Sequence, residues 1–129
     1  MTQIINPELS FRITGLCFKV HNDLGRFCSE RQYADGLERK LIEVGLVYRR
    51  EYELSNLPDV ERKGNRVDFI IANTIILDVK AKKFVTKEDY YQMLRYLQAA
   101  NKELGLIVNF RSTYLKPQRV INNKYRILS

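Results

Sequence analysis

The chain has 129 residues, 45% of them apolar and 29% charged, with a formal net charge of +7. That length suits one domain over residues 1–129 with a real core, and the composition is that of a globular protein rather than a disordered chain. No apolar run reaches membrane length and no signal-peptide pattern is present, so a cytoplasmic protein with no membrane partner is expected.

Asn6-Pro7 reads as a helix start, with Asn6 as cap and Pro7 in the first turn. Ile13, Leu16, Val20 and Leu24 then recur at helical spacing, and Gly25 closes the helix. Ser29 opens a second helix with Gln32 placed for a capping box. Its apolar stripe is Tyr33, Leu37 and Leu41, and Gly45 ends it. Cys17 and His21 lie four apart, but Cys17, Cys28 and one histidine make neither a disulfide framework nor a zinc site. A core cysteine and a surface or capping histidine are expected instead.

A strand follows over Val47 to Leu54, then a turn at Asn56 to Asp59. Arg66 to Phe84 reads as two strands around a tight turn near Asn73, yet each strand carries a carboxylate in an apolar setting. Thr86 caps a third helix with Glu88 and Asp89 in its first turn, where the helix dipole favours acids. Tyr91, Leu94 and Leu97 are expected to face inward, and the helix to end near Asn101. Leu104 to Phe110 suits a buried strand. Tyr114 to Ile127 supplies a last strand or an irregular tail, confined by Pro117 to an edge or a bend. The order predicts an α/β (α+β) sandwich around one central sheet.

The two acids carry the functional reading. Asp78 and Lys80 alternate onto one strand face. A three-residue turn at Ala72 to Thr74 would place Asp68 opposite Asp78. Two carboxylates and an ammonium on one patch suit a divalent cation and an activated water, with Lys80 orienting the water or screening charge. A simple Asp–Lys ion pair at a strand end is the structural alternative.

At this point the chain resembles the PD-(D/E)xK nuclease superfamily and, within it, the GxxExxxR proteins. The matching pieces are Val20-His-Asn-Asp-Leu-Gly25, Glu30 with Tyr33, Gly45, Val67-Asp68-Phe69, Leu77-Asp78-Val79-Lys80, Gln92 with Tyr96, and Leu106 to Phe110. The resemblance implies a restriction-endonuclease-like core, a mixed sheet flanked by helices with an acidic site on adjacent strands. It implies that Asp68, Asp78, Glu30 and the Val79 carbonyl bind Mg²⁺ or Mn²⁺. Lys80 matches the motif lysine, and Gln92 with Tyr96 matches the Gln-x-x-x-Tyr helix motif. Phe27 and Ala34 depart from the family's Gly and Arg, and Asp78 stands where close relatives more often carry Glu.

The resulting expectation is a metal-dependent nuclease acting on DNA or RNA, with a catalytically silent nucleic-acid- or protein-binding domain as the alternative. Oligomeric state stays open, a homodimer included. Basic residues Arg49, Arg50, Lys82 and Arg119 are candidate phosphate contacts, as are Arg62, Lys63 and Lys83, while the C-terminal Lys116, Arg119, Lys124 and Arg126 also form a basic tail whose simplest role is solubility.

Overall fold

A computed structural model describes residues 6–54 and 66–127. The turn expected at Asn56 to Asp59 and the candidates Arg62 and Lys63 lie outside the described residues. The elements are α1 (Pro7–Leu24), α2 (Glu30–Glu43), β1 (Tyr48–Glu53), β2 (Arg66–Ile71), β3 (Ile75–Lys80), α3 (Lys87–Ala100), β4 (Leu104–Asn109) and β5 (Gln118–Ile121). The strands form one mixed sheet in sequence order, with only β3 and β4 parallel. Helix α3 is the crossover that parallel pairing requires.

The helices begin and end for local reasons. Pro7 sits in the first turn of α1, but Asn6 adopts a left-handed φ of 47° and its side chain makes no capping bond. The Ser29–Gln32 capping box forms as expected: Gln32 N–H donates to Ser29 Oγ and Ser29 N–H to Gln32 Oε1. At the far end of α2, Gly45 has a φ of 72°, and Leu46 and Gly45 donate to the Leu41 and Ile42 carbonyls. This left-handed stop satisfies carbonyls that the last turn leaves open.

One apolar cluster joins α1 and α2 to one sheet face through Ile13, Leu16, Val20, Tyr33, Leu37, Phe69 and Leu77. A second joins α3 to the other face through Met93, Tyr96, Leu97, Ile70 and Ile107. The inward stripe expected on α3 needs correction at Tyr91. Leu97 is buried and Leu94 half-buried against the same cluster as expected, but Tyr91 is 62% exposed, and Asp89, Met93 and Tyr96 complete the buried face. Positions 89, 93 and 96 share one face at helical spacing, and Asp89 belongs there because it pairs with lysines at the end of β3. Cys17 is a core residue whose thiol burial pushes up to about 12. His21 Nε2 meets the Ser112 carbonyl at 2.9 Å, tying α1 to the loop after β4.

Gly105 on β4 lets α3 lie close against the sheet. A Cβ there would stand 2.5 Å from Met93 Sδ and 2.7 Å from its Cγ. Gly105→Ala is therefore expected to lower stability by about 1–3 kcal/mol, the usual cost of overpacking a tight core. Urea denaturation checks this; an unchanged midpoint would show that Met93 repacks freely.

Candidate active site

The site begins where the sheet comes apart. Ala72 and Asn73 take φ values of 53° and 50°, and Thr74 N–H donates to the Ile71 carbonyl, closing the expected three-residue turn between β2 and β3. Pairing runs from Ile71↔Ile75 to Phe69↔Leu77 and stops there. The next positions are Asp68 and Asp78, opposite one another in the same register. Beyond them the strands fork.

Asp68 lies in this fork. Its Oδ2 accepts the Val79 N–H at 2.7 Å, replacing the backbone carbonyl that the ladder no longer supplies. Residues in a strand turn N–H and C=O to the same side, so the Val79 carbonyl faces the same gap. The distortion is visible in the packing. Val67 joins the α3-side cluster with Ile70, although strict alternation from Phe69 would put it on the other face. Across from Asp68, Glu51 interrupts β1 with a φ of 49°, between the pairs Arg50↔Phe69 and Tyr52↔Val67. A non-glycine residue there costs of the order of 1–3 kcal/mol, strain that concentrates at functional sites.

Charged side chains reach the fork from both faces. From the α2 side, Glu30, Arg31 and Ala34 line a cavity of about 370 Å³ together with Arg50, Glu51, Asp68 and Val79. From the α3 side, Asp78 is 8% exposed and its Oδ2 lies 2.9 Å from Lys80 Nζ. Lys80 is also 4.0 Å from Asp89, which pairs with Lys82 and caps Thr86 N–H at 2.8 Å. Tyr96 is buried on the same face of α3, and Gln92, one turn earlier, is half-buried. Thus Glu30, Asp68 and Val79 share a cavity, Asp78 and Lys80 adjoin it through Asp68, and Tyr96 stands close to the pair on α3, with Gln92 one turn earlier on that helix.

The electrostatics follow from burial and proximity. Burial is the largest influence on Asp68, followed by a hydrogen bond and charge repulsion from the Asp78 carboxyl, and these raise its pKa to about 7. Burial works against a charged Lys80, but attraction from Asp78, then Asp89 and Glu30, outweighs it and raises the Lys80 pKa. Burial and the Asp78 charge raise the Tyr96 hydroxyl.

Below about pH 7 Asp68 therefore holds a proton where two bare charges would repel, and a cation beside the pair would relieve the same repulsion. Carboxylates and a backbone carbonyl are the donors a hard divalent ion takes. Among the described residues no three His, Cys, Asp or Glu side chains already stand in a coordinating arrangement. The donor chemistry fits a hard divalent ion.

The basic residues are distributed less simply than expected. Arg50 pairs with Asp35 at 2.7 Å and Glu38 at 3.1 Å while lining the cavity. Lys82 pairs with Asp89, and Arg119 donates to Ser10 on α1 at 2.8 Å, on β5 two strands from Asp78. Arg49 is exposed, with its guanidinium 5.1 Å from the Tyr52 ring. Glu51, Arg31 and Asp89 were not among the expected site residues. Asp89 lies three residues before Gln92 on the same helix face, the one sequence signal that pointed to it.

Comparison with known proteins gives one match. The family model of the PD-(D/E)XK nuclease superfamily matches residues 7–121, which spans every element described. No curated protein and no solved structure matches the chain.

A raised carboxyl pKa has a defined consequence. Between its ordinary value of 3.8 and about 7, folded Asp68 keeps a proton that the unfolded chain releases. Stability from this group is full below that window and is lost as pH rises through it. Melting temperature measured against pH in EDTA should fall across the window. Asp68→Asn, which can accept from Val79 N–H and donate to Asp78, should flatten that fall. Parallel curves for wild type and variant would refute the raised Asp68 pKa.

Proposed function

The chain belongs to the PD-(D/E)XK nuclease superfamily, and on that premise we propose that it is a divalent-metal-dependent nuclease hydrolysing phosphodiester bonds in DNA or RNA. The observation that carries this reading is the forked strand pair, where Asp68 and Asp78 meet beside a lysine kept charged by acids on both sides. Asp68, Asp78, Glu30 and the Val79 carbonyl are the proposed holders of Mg²⁺ or Mn²⁺. Such an ion polarises the phosphodiester and makes its bound water more acidic.

The remaining work falls to the chain. Lys80 places a fixed positive charge next to the pair, where it can orient the attacking water and stabilise charge developing on the phosphate. Asp89 and Asp78 hold that ammonium in place from two directions. Tyr96 and Gln92 close the α3 side and limit water there. Within the superfamily we place the chain with the GxxExxxR proteins. Ala34 lines the cavity where that pattern carries Arg, and Arg31 and Arg50 line the same cavity and supply positive charge.

The test is cleavage of single-stranded and duplex DNA and RNA with Mg²⁺, Mn²⁺ or EDTA. Wild type should cut only with metal. Lys80→Ala and Asp78→Ala should each cut about 100- to 1000-fold more slowly, the usual cost of removing a charge-stabilising group, while nucleic-acid affinity stays nearly unchanged. Metal should also raise the melting temperature of wild type but not of Asp68→Asn. Binding without cleavage under all conditions would instead establish the catalytically silent alternative.

A further inference from the structure

The loops beside the site carry features that catalysis does not use. Phe27, in the turn that leads into Glu30, is 76% exposed. The Arg26 guanidinium lies 4.8 Å from the centre of its ring and that of Arg111 lies 5.7 Å away. Arg26 and Arg111 fix each other: each donates its Nε–H to the other's backbone carbonyl, at 2.9 and 2.8 Å. Among the described residues neither guanidinium is in an ion pair, unlike Arg50 and Lys82.

This pair of loops is tied directly to the end of β3. Phe110 N–H donates to the Lys80 carbonyl at 2.9 Å, and the Asn109 side chain exchanges two hydrogen bonds with the Lys82 backbone. Past Lys82 the pattern repeats: Phe84 is 69% exposed with the Lys83 ammonium 5.8 Å from its ring centre. Two exposed rings, each beside a cation, therefore flank the strand end that carries Lys80.

We propose that this rim is a stacking platform for unpaired bases, so that the substrate is single-stranded nucleic acid or a single-stranded segment. The proposal rests on the nuclease reading for the position of the cut, but not for the binding itself. An exposed aromatic ring gains most from a flat π-face, and in a duplex those faces are covered by neighbouring bases. The guanidinium nitrogens left free by the Nε–H bonds meet the phosphates on either side of a stacked base. Diffuse charge would bind any polyanion; rings interleaved with cations select strands whose bases can splay out.

The chain contains no tryptophan, so Phe27→Trp installs a single indole reporter at the platform. Binding is measured in EDTA, by fluorescence anisotropy, to labelled oligonucleotides of one sequence as single-stranded DNA, single-stranded RNA and duplex DNA. Single strands should bind more tightly than duplex, with the DNA and RNA arms deciding between the two sources. Phe27→Ala should weaken single-strand binding about 5- to 100-fold, the range for loss of one base stack, and leave duplex binding unchanged. Phe27→Leu, which keeps apolar bulk without a π-face, should behave like Phe27→Ala. The Phe27→Trp emission should be quenched by single strands.

Equal affinity for duplex and single strands, an unquenched indole, or Phe27→Ala binding like wild type would each overturn the platform, as would no binding at all. A separate cleavage assay with Mn²⁺ keeps the two ideas apart. Cleavage with no effect of Phe27→Ala on binding defeats the platform alone. Platform binding without cleavage defeats the nuclease reading alone.

Discussion

The site depends on one shared constraint: two carboxyl groups meet where a β-ladder ends. Regular pairing through Phe69↔Leu77 brings Asp68 and Asp78 face to face, and their mutual repulsion forbids both from being bare and buried. The ladder gives way, Asp68 turns its carboxyl to the Val79 N–H, and a proton held on Asp68 removes one of the two charges. The left-handed Glu51 and the misplaced Val67 sit at the same level of the sheet. The local irregularities of β1 and β2 thus gather around the acids.

Around that pair the charges form a chain across the molecule. Asp78 holds Lys80, Lys80 leans toward Asp89, and Asp89 takes Lys82 while capping Thr86. A single carboxylate on α3 thereby starts its own helix and positions the strand lysines. It forms a capping box whose acid has a second purpose, and its pKa is lowered because the hydrogen bonds from Lys82 and Thr86 outweigh its burial. Helix α3 is thus oriented by the site as well as by the apolar cluster beneath it.

The hairpin was legible in the sequence because its information is local. Alternation fixes which residues share a face, the turn length fixes register, and together they put Asp68 opposite Asp78. The capping signals of α2 and α3 were legible for the same reason. Glu30, Gln92 and Tyr96 were nominated only through family resemblance, since nothing local says which helix face meets the fork. The partners of the basic residues were not legible: Arg50 meets Asp35 and Glu38, and Arg119 meets Ser10, across separations that no spacing rule covers. Of the inward stripe on α3 only Tyr91 was misplaced, because an acid, Asp89, takes part of the buried face. The left-handed Glu51 left no sequence trace, because its residue type does not favour that conformation.

The three-residue turn between β2 and β3 also bears on the order in which the molecule assembles. A hairpin closed by so short a loop zips from its turn outward, on the scale of about 1–10 μs for isolated hairpins. Zipping reaches Phe69 and Leu77 before it meets the acids. In a chain whose helices have not docked, both carboxyls are solvated, ionised and mutually repelling, so the open end of the hairpin stays apart. Docking of α2 and α3 buries the pair and lets it close. The hairpin can thus form locally through Phe69 and Leu77, while the close approach of the two acids waits for the helices that bury them.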